Sequence, residues 1–300
     1  MSLRQGREKH GIAMEGVYRY LGVHRQTIHK GIKSYTEEQE MMEKIGDLIG
    51  SYRREKDRRA GSRSLFYNLE VKKGFGIGVT KFEQLMSAHG LTLSPLQVRV
   101  ITTQSSLQSW NYSNLIQGLE VQNINQLVVG DLTYIAYLKD RYYLFCLTDV
   151  YSARIVGHCF STRMRSSEAQ SALDKWTALR GEKTLKGSIH HTDGGSQYFS
   201  RDYMAVLNEK GIQISVAKNC LENGYAEQRN GLIKYHLIPT INTTSATYLT
   251  KEIDRIIDFY NQERKQDSLG WRSPVEFEHY IRTLAEKPKR IIYKHKTDQS

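Results

Sequence analysis

Three carboxylates occupy sequence contexts that suit them to one shared metal site. Asp131 interrupts the apolar run Leu127-Val128-Val129-Gly130-Asp131-Leu132-Thr133-Tyr134-Ile135, and Asp193 ends Ser188-Ile189-His190-His191-Thr192, just before Gly194-Gly195. Glu227 falls in Asn223-Gly224-Tyr225-Ala226-Glu227-Gln228-Arg229-Asn230-Gly231, which reads as the opening of a helix. Two acids on strands and one on a helix can converge on divalent cations. Carboxylates are the hard oxygen ligands that Mg²⁺ prefers, and a pair of such ions about 3.5–4 Å apart activates an oxygen nucleophile and stabilises a leaving oxygen. Each acid alone has a plainer use. Asp131 would cap a bulge, Asp193 would serve a turn before two glycines, and Glu227 would sit on a solvated helix face. Their order and contexts together favour the shared site.

The flanking pattern supplies the elements that must position them. Leu127–Leu138 and Tyr142–Val150 read as strands joined at Lys139-Asp140-Arg141, with Ile155–Phe160 as a third, so an antiparallel meander is expected. Ser166–Arg180 then reads as a helix with Ala169, Leu173, Trp176 and Leu179 inward. Ser188–His191 and Ile212–Val216 read as strands, and Arg201–Lys210, Glu222–Tyr235 and Leu249–Tyr260 as helices. Strands first, then alternating strand and helix, describe a mixed sheet flanked by helices. His190 and His191 point to opposite faces of a strand, so at most one faces the acids. His190 is expected to pack or support, and Asp149 to order the turn that follows it. On the Glu227 helix, Asn230 and Lys234 recur three and seven residues later on the same face, where both are expected to meet the DNA backbone.

The first part of the chain is helical and basic. Ala13–Tyr20, the turn Leu21-Gly22-Val23 and His24–Lys30 have helix-turn-helix spacing, which would present Arg25, Gln26 and His29 to a DNA groove. Thr36–Lys56 reads as an amphipathic helix burying Ile45, Leu48, Ile49 and Tyr52. A second helical pair follows, with Ser64–Leu69, a glycine-rich turn over Lys72–Gly78 and a helix opened by a capping box from Thr80 to Glu83. Polar residues 94–126 read as a linker. The expected organisation is a helix-turn-helix segment over 1–58, a second such segment and linker over 59–110, a catalytic core over 111–283 and a basic tail over 284–300.

Lys and Arg total 43 against 32 Asp and Glu, a net charge of +11 in 300 residues, which points to a polyanionic partner such as nucleic acid. The three cysteines, Cys146, Cys159 and Cys220, form neither a zinc pattern nor a disulfide framework. No secretory signal opens the sequence, and no run approaches the roughly 20 apolar residues of a membrane span. A cytoplasmic protein with no membrane association is expected.

His190-His191-Thr192-Asp193-Gly194-Gly195-Ser196-Gln197-Tyr198 resembles the H-S-D-x-G-S-Q-Y signature of bacterial insertion-sequence transposases, in the group whose second reading frame encodes an integrase-like core. Val129–Tyr134 resembles that group's W-x-x-D-I-T-Y segment, and Glu222–Glu227 its D-N-A-x-x-E segment. Tyr260-Asn261-Gln262-Glu263-Arg264, Ser268-Leu269 and Ser273-Pro274-Val275-Glu276-Phe277 resemble its Y-N-x-x-R and S-L-x-x-x-x-P-x-x-F tail. The chain departs from the group in a slightly short Asp193–Glu227 interval of 33 residues, in Gly130 for a small polar residue, in Gln266 for His and in Ala153 for Ser.

The resemblance implies a ribonuclease-H-like fold of the retroviral-integrase type. It implies Asp131, Asp193 and Glu227 as a D-D-E triad holding two Mg²⁺, with Mn²⁺ able to substitute. Metal-dependent cleavage and strand transfer on terminal inverted repeats and target DNA would follow, by a homo-multimer on bacterial nucleoid DNA. It also implies a first-reading-frame partner protein or fusion. The competing expectations are an inactive DNA-binding regulator and a nuclease on the same fold without strand transfer.

Overall fold

A computed structural model describes residues 14–96, 112–181, 184–217, 220–284 and 290–291. Helices α1 (Met14–Leu21), α2 (Arg25–Glu55), α3 (Ser62–Asn68), α4 (Val71–Phe75) and α5 (Val79–Ala88) come first. They are followed by β1 (Glu120–Val121), β2 (Leu127–Tyr137), β3 (Asp140–Asp149), β4 (Ile155–Ser161), α6 (Ser166–Arg180), β5 (Ile189–Thr192), α7 (Arg201–Glu209) and β6 (Gln213–Val216). The chain continues through α8 (Gly224–Leu232), α9 (Ala246–Gln262), α10 (Pro274–Arg282) and β7 (Arg290–Ile291), the last paired with β1.

Five strands form the central sheet in the order β4-β3-β2-β5-β6. β2, β3 and β4 run antiparallel as a meander, and β5 and β6 lie parallel to β2. This is the ribonuclease-H-like arrangement. Strand alternation sorts the core. Val128, Phe145 and Leu147 face one side, against Leu173 and Trp176 of α6 and Tyr203 and Leu207 of α7. Ile135, Leu144 and Cys146 face the other, against Ile233 and Leu237 beyond α8 and Ile253, Ile256 and Tyr260 of α9. Gly157 on β4 permits the close approach of α6, because a Cβ there would lie 2.0 Å from the Ala172 carbonyl oxygen.

Several boundaries differ from those expected. The two helices expected over His24–Lys30 and Thr36–Lys56 are one 31-residue helix, α2, capped by His24, whose ring accepts from the Gln26 amide. No proline interrupts that span, and Gly31 is tolerated at helix-interior cost. Thr80 is not an N-cap. α5 starts at Val79 after Gly78, and Glu83 turns instead to Arg63, 3.0 Å away. Within the expected glycine-rich turn, Val71–Phe75 is helical. Leu48 and Leu179 are exposed, and Met42 and Ala172 take their places in the core. Of residues 94–126, those over 97–111 lie outside the described residues, whereas Ile116 and Val121 are buried beside β2.

Met42, Ile45 and Ile49 of α2 pack with Leu65, Phe66 and Phe82, so the segments over 1–58 and 59–110 share one core. That helical module is bound to the sheet domain by polar contacts. Asp57 is fully buried and accepts from Arg264 Nε at 3.0 Å and from the Arg59 amide at 3.1 Å, with His236 Nδ1 3.0 Å away. The hydrogen bonds from His236 and Arg264, with the Arg264 charge, hold the Asp57 carboxyl below its usual range despite the desolvation that opposes them. Asn68 accepts from the Lys265 amide at 2.9 Å, and Tyr67 stacks on Trp271 with centroids 4.0 Å apart.

Removing one partner of a buried charge network strands the rest, so Asp57→Ala should destabilise the chain by about 3–5 kcal/mol in urea denaturation. A loss under about 1 kcal/mol would place the network among exposed pairs.

Candidate active site

Parallel pairing puts the two aspartates together. β2 and β5 are in register at Val129↔His191 and Gly130↔Thr192, so Asp131 and Asp193 follow at adjacent positions and project to one face. β5 ends at Thr192, and Gly194 takes a positive φ of 81°, turning the chain away and leaving Asp193 just past the C-terminal end of β5. Its Oδ1 accepts from the Gly195 amide at 3.1 Å. Gly130 is required where it stands. An added Cβ would lie 2.8 Å from the His190 ring and 3.1 Å from Leu147.

α8 packs across this face and brings the third acid. Ala226 is buried against Val129 and Tyr151, and the Tyr225 hydroxyl donates to the Val150 carbonyl at 3.2 Å. Glu227 is exposed on the first turn of α8. The three acids influence one another. Burial, then the charge of Asp193, pushes Asp131 up to about 7, with Glu227 adding to the rise. Burial raises Asp193, and burial with the Asp193 charge raises Glu227. Among the described residues, no three His, Cys, Asp or Glu side chains are gathered closely enough to hold a metal ion as they stand. The donor set nonetheless fits one: hard oxygens, mutually repelling, whose raised protonation a divalent cation would reverse.

The remaining sequence candidates fall into different surroundings. Asn230 is buried, and its Nδ2 donates to Asp131 Oδ2 at 2.8 Å. Lys234 lies beyond the end of α8 in a π-helical turn, Ile233–Leu237. Its Nζ sits 5.7 Å from the Tyr134 ring centroid. Arg25, Gln26 and His29 are exposed on the first turns of α2, far along the chain from the acids, and Arg25 Nε donates to His29 at 3.4 Å.

Both histidines before Asp193 are fully engaged. His190 lies on the α6 and α7 side, between the Val128 carbonyl at 3.3 Å and the Tyr203 hydroxyl at 2.7 Å, and burial pushes it down to about 4. His191 lies on the acid side, between Ser215 Oγ at 2.8 Å and the Glu222 carbonyl at 3.2 Å, and burial pushes it down to about 4 as well. Neither is left to ligate a metal. Asp149 is buried and accepts from the Ser152 amide at 2.9 Å and the Asn125 amide, which places it on the turn after β3. The sequence reading passed over Arg229, which is buried and donates to Gln266 Oε1 at 2.8 Å. Its signal was the unusual Gln266 itself, which supplies an amide oxygen to a guanidinium held under α8.

Because Asp131 titrates higher folded than the roughly 3.9 of an unfolded aspartate, the native state binds the extra proton between about pH 4 and 7, and stability falls as pH rises through that window. Asp131→Asn removes this penalty. In chelator, the Tm of Asp131→Asn minus that of the parent should grow from pH 4 to pH 7, read by calorimetry; a difference flat in pH would refute the coupling.

Comparison with known proteins agrees with this architecture. An integrase core domain family matches residues 122–219, and a second integrase core domain model matches residues 210–274. The chain is 31% identical over 235 residues to the protein assigned as transposase of insertion sequence element IS986/IS6110 in Mycobacterium tuberculosis, covering 76% of this chain and 84% of that one. It is 32% identical to a 31 kDa protein of insertion element IS600 in Shigella sonnei, covering 54% of this chain and 60% of that one, so it spans less than two thirds of that relative. It is 28% identical to the transposase of IS629 in Shigella sonnei, covering 73% of each. The HTLV-2 integrase catalytic core domain in complex with magnesium superposes at a TM-score of 0.41 and 20% identity, covering 55% of this chain and 99% of that one, a likeness too slight to add to the strand order. The chain belongs to the bacterial insertion-sequence transposases of the second-reading-frame type, built on an integrase core domain.

Proposed function

We propose that Asp131, Asp193 and Glu227 form the D-D-E centre of a polynucleotidyl transferase that cuts DNA at the ends of its element and joins them to a target. The observation that carries this reading is the register of β2 with β5, which sets two aspartates side by side facing the helix of Glu227. The three carboxylates would hold two Mg²⁺, with Mn²⁺ able to substitute. Bound there, the cations would supply an activated water or 3′-hydroxyl and stabilise the leaving oxygen.

The chain's own groups have separate tasks in this reading. Asn230 orients the Asp131 carboxylate by the bond to Oδ2. Lys234, held over Tyr134 beside β2, meets a backbone phosphate. Arg25, Gln26 and His29, exposed at the start of α2, contact the terminal inverted repeat, with α1 and the Gly22 turn as the helix-turn-helix entry. Synapsis of two ends requires more than one copy, and a first-reading-frame partner or fusion would add DNA contacts. Among the described residues no helix is long and apolar enough to cross a membrane, and the proposed substrate is double-stranded DNA of the bacterial nucleoid in the cytoplasm. The segment assignments 1–58, 59–110, 111–283 and 284–300 are proposed on the same footing.

The purified chain, incubated with Mg²⁺ or Mn²⁺, a labelled duplex carrying the element's inverted repeat and a supercoiled plasmid, should release a 3′ end and join it to the plasmid. Asp193→Asn should bind the duplex as well as the parent and yield neither product. Cleavage without joining would reduce the protein to a nuclease. Binding alone, unchanged in Asp193→Asn, would leave a DNA-binding regulator.

A further inference from the structure

The two aspartates owe their places to the sheet, but Glu227 arrives on a separate element after β6. Two side-chain hydrogen bonds tie the turn that starts this element, Cys220–Asn223, back to the aspartate strands. His191 precedes Asp193 by two residues and shares its face. The Glu222 carbonyl beside His191 Nε2 can only accept, so in the neutral ring Nδ1 is the acceptor and takes the Ser215 Oγ proton at 2.8 Å, while Ser215 Oγ also accepts from the Leu115 amide at 2.9 Å. The His191 proton is therefore on Nε2, which donates to the Glu222 carbonyl at 3.2 Å. The second tie comes from Asn223, whose Nδ2 donates at 3.2 Å to the carbonyl of Gly130, the residue before Asp131.

Asn223 makes this bond against its local interest. It stands at the N-cap of α8, where asparagine ordinarily caps with its side-chain oxygen. Here the side chain makes no cap bond, and among the described residues its buried Oδ1 has no partner. A residue that forgoes a cap and strands a buried carbonyl is held for geometry and not for helix stability. Four residues at about 1.5 Å each separate it from Glu227, a rigid step of roughly 6 Å. Glu227 makes no hydrogen bond of its own among the described residues, so its position is inherited from the end of α8.

We propose that His191 and Asn223 are positioning residues, a double latch that sets how far the Glu227 carboxyl reaches toward Asp131 and Asp193. This rests on the reading of Glu227 as the third carboxylate of the site. The latch compensates the 33-residue interval between Asp193 and Glu227 by fixing the entry of α8 directly to both strands instead of through loop length. Tyr225 and Ala226 hold the body of the helix to the sheet independently, so the latch can be opened without unfolding it.

The test compares Asn223→Ala, His191→Asn and His191→Gln with the parent and with Asp193→Asn, in the full chain. Glutamine places an amide donor near the Nε2 position and can still reach the Glu222 carbonyl; asparagine reaches no further than the Nδ1 position. Asn223→Ala and His191→Asn should lose about 10- to 100-fold in joining rate or in apparent Mg²⁺ affinity, the range for groups that orient ligands. Duplex affinity should stay within about twofold, and thermal melting of Asn223→Ala should lie close to the parent's, since loss of the bond to the Gly130 carbonyl is offset by removal of the orphan oxygen. His191→Gln should recover most of the rate at matched melting temperature. The latch is overturned if Asn223→Ala follows the parent at every Mg²⁺ concentration while Asp193→Asn is inactive. It is equally overturned if His191→Gln and His191→Asn lose rate only in proportion to lost stability. If Asp193→Asn itself still cuts, the carboxylate reading falls and the latch with it.

Discussion

The parallel register of β2 on β5 is the constraint from which the rest of the site follows. A slip of one residue would turn either aspartate to the opposite face of the sheet. The register is fixed on both sides by burial. Val128 belongs to the core under α6 and α7, and Leu127 and Val129 to the cluster beneath α8. Gly130 refines the fit by admitting the His190 ring and the Leu147 methyl into the space where a side chain would project. The small polar residue common at this place in the group would need His190 to withdraw. The glycine substitution and the tight aromatic packing of His190 with Trp176, Tyr198 and Tyr203 therefore form one local solution.

Two other buried acids, Glu278 and Asp57, have the dense donor sets that the acids of that face lack. Glu278, nearly fully buried, pairs with Arg154 at 2.8 Å and Arg180 at 2.9 Å, and those cations hold it below its usual range although burial opposes them. Asp57 is treated in the same way by Arg264 and His236. Asp131 has an amide, Asn230, where Glu278 has two guanidiniums. The contrast fits the proposed role of Asp131, since a lysine or arginine in the place of Asn230 would neutralise the charge that a bound cation would meet.

What the sequence revealed follows from the range of the interactions involved. Strands β2, β3 and β4 were legible because their apolar content and short turns are local, and Asp193 because two glycines mark a strand end. The helical character of α8 was legible too, but its end was not. The regular helix gives way to a π-helical turn at Ile233–Leu237, whose Ile233 and Leu237 are buried in one cluster with residues of α9. Helix periodicity gives the face on which Asn230 lies but neither its burial nor its bond to Asp131. The capping box at Thr80 failed for the reverse reason: the local pattern was present, but Arg63, from α3, claimed Glu83. The merging of two expected helices into α2 shows the same limit, since polar residues between apolar stripes do not end a helix without a breaker.

The docking of the helical module onto the sheet domain gives this architecture a mechanical consequence. α2 spans 31 residues, about 46 Å at helical rise, with the proposed DNA-contacting residues at its start. Just past its far end, Asp57 grips His236, and the Arg58 amide donates to the His236 carbonyl at 2.8 Å. His236 lies in the π turn that continues the rod bearing Glu227 and Asn230. One end of that rod is tied to the aspartate strands through Asn223 and the other to the module through Asp57. The placement of Glu227 is therefore bounded from both sides, by the sheet that carries its fellow acids and by the helix proposed to read the DNA end. A carboxylate exposed on its helix, if it is to serve the proposed site, needs such a double constraint, because no buried packing of its own side chain can supply it.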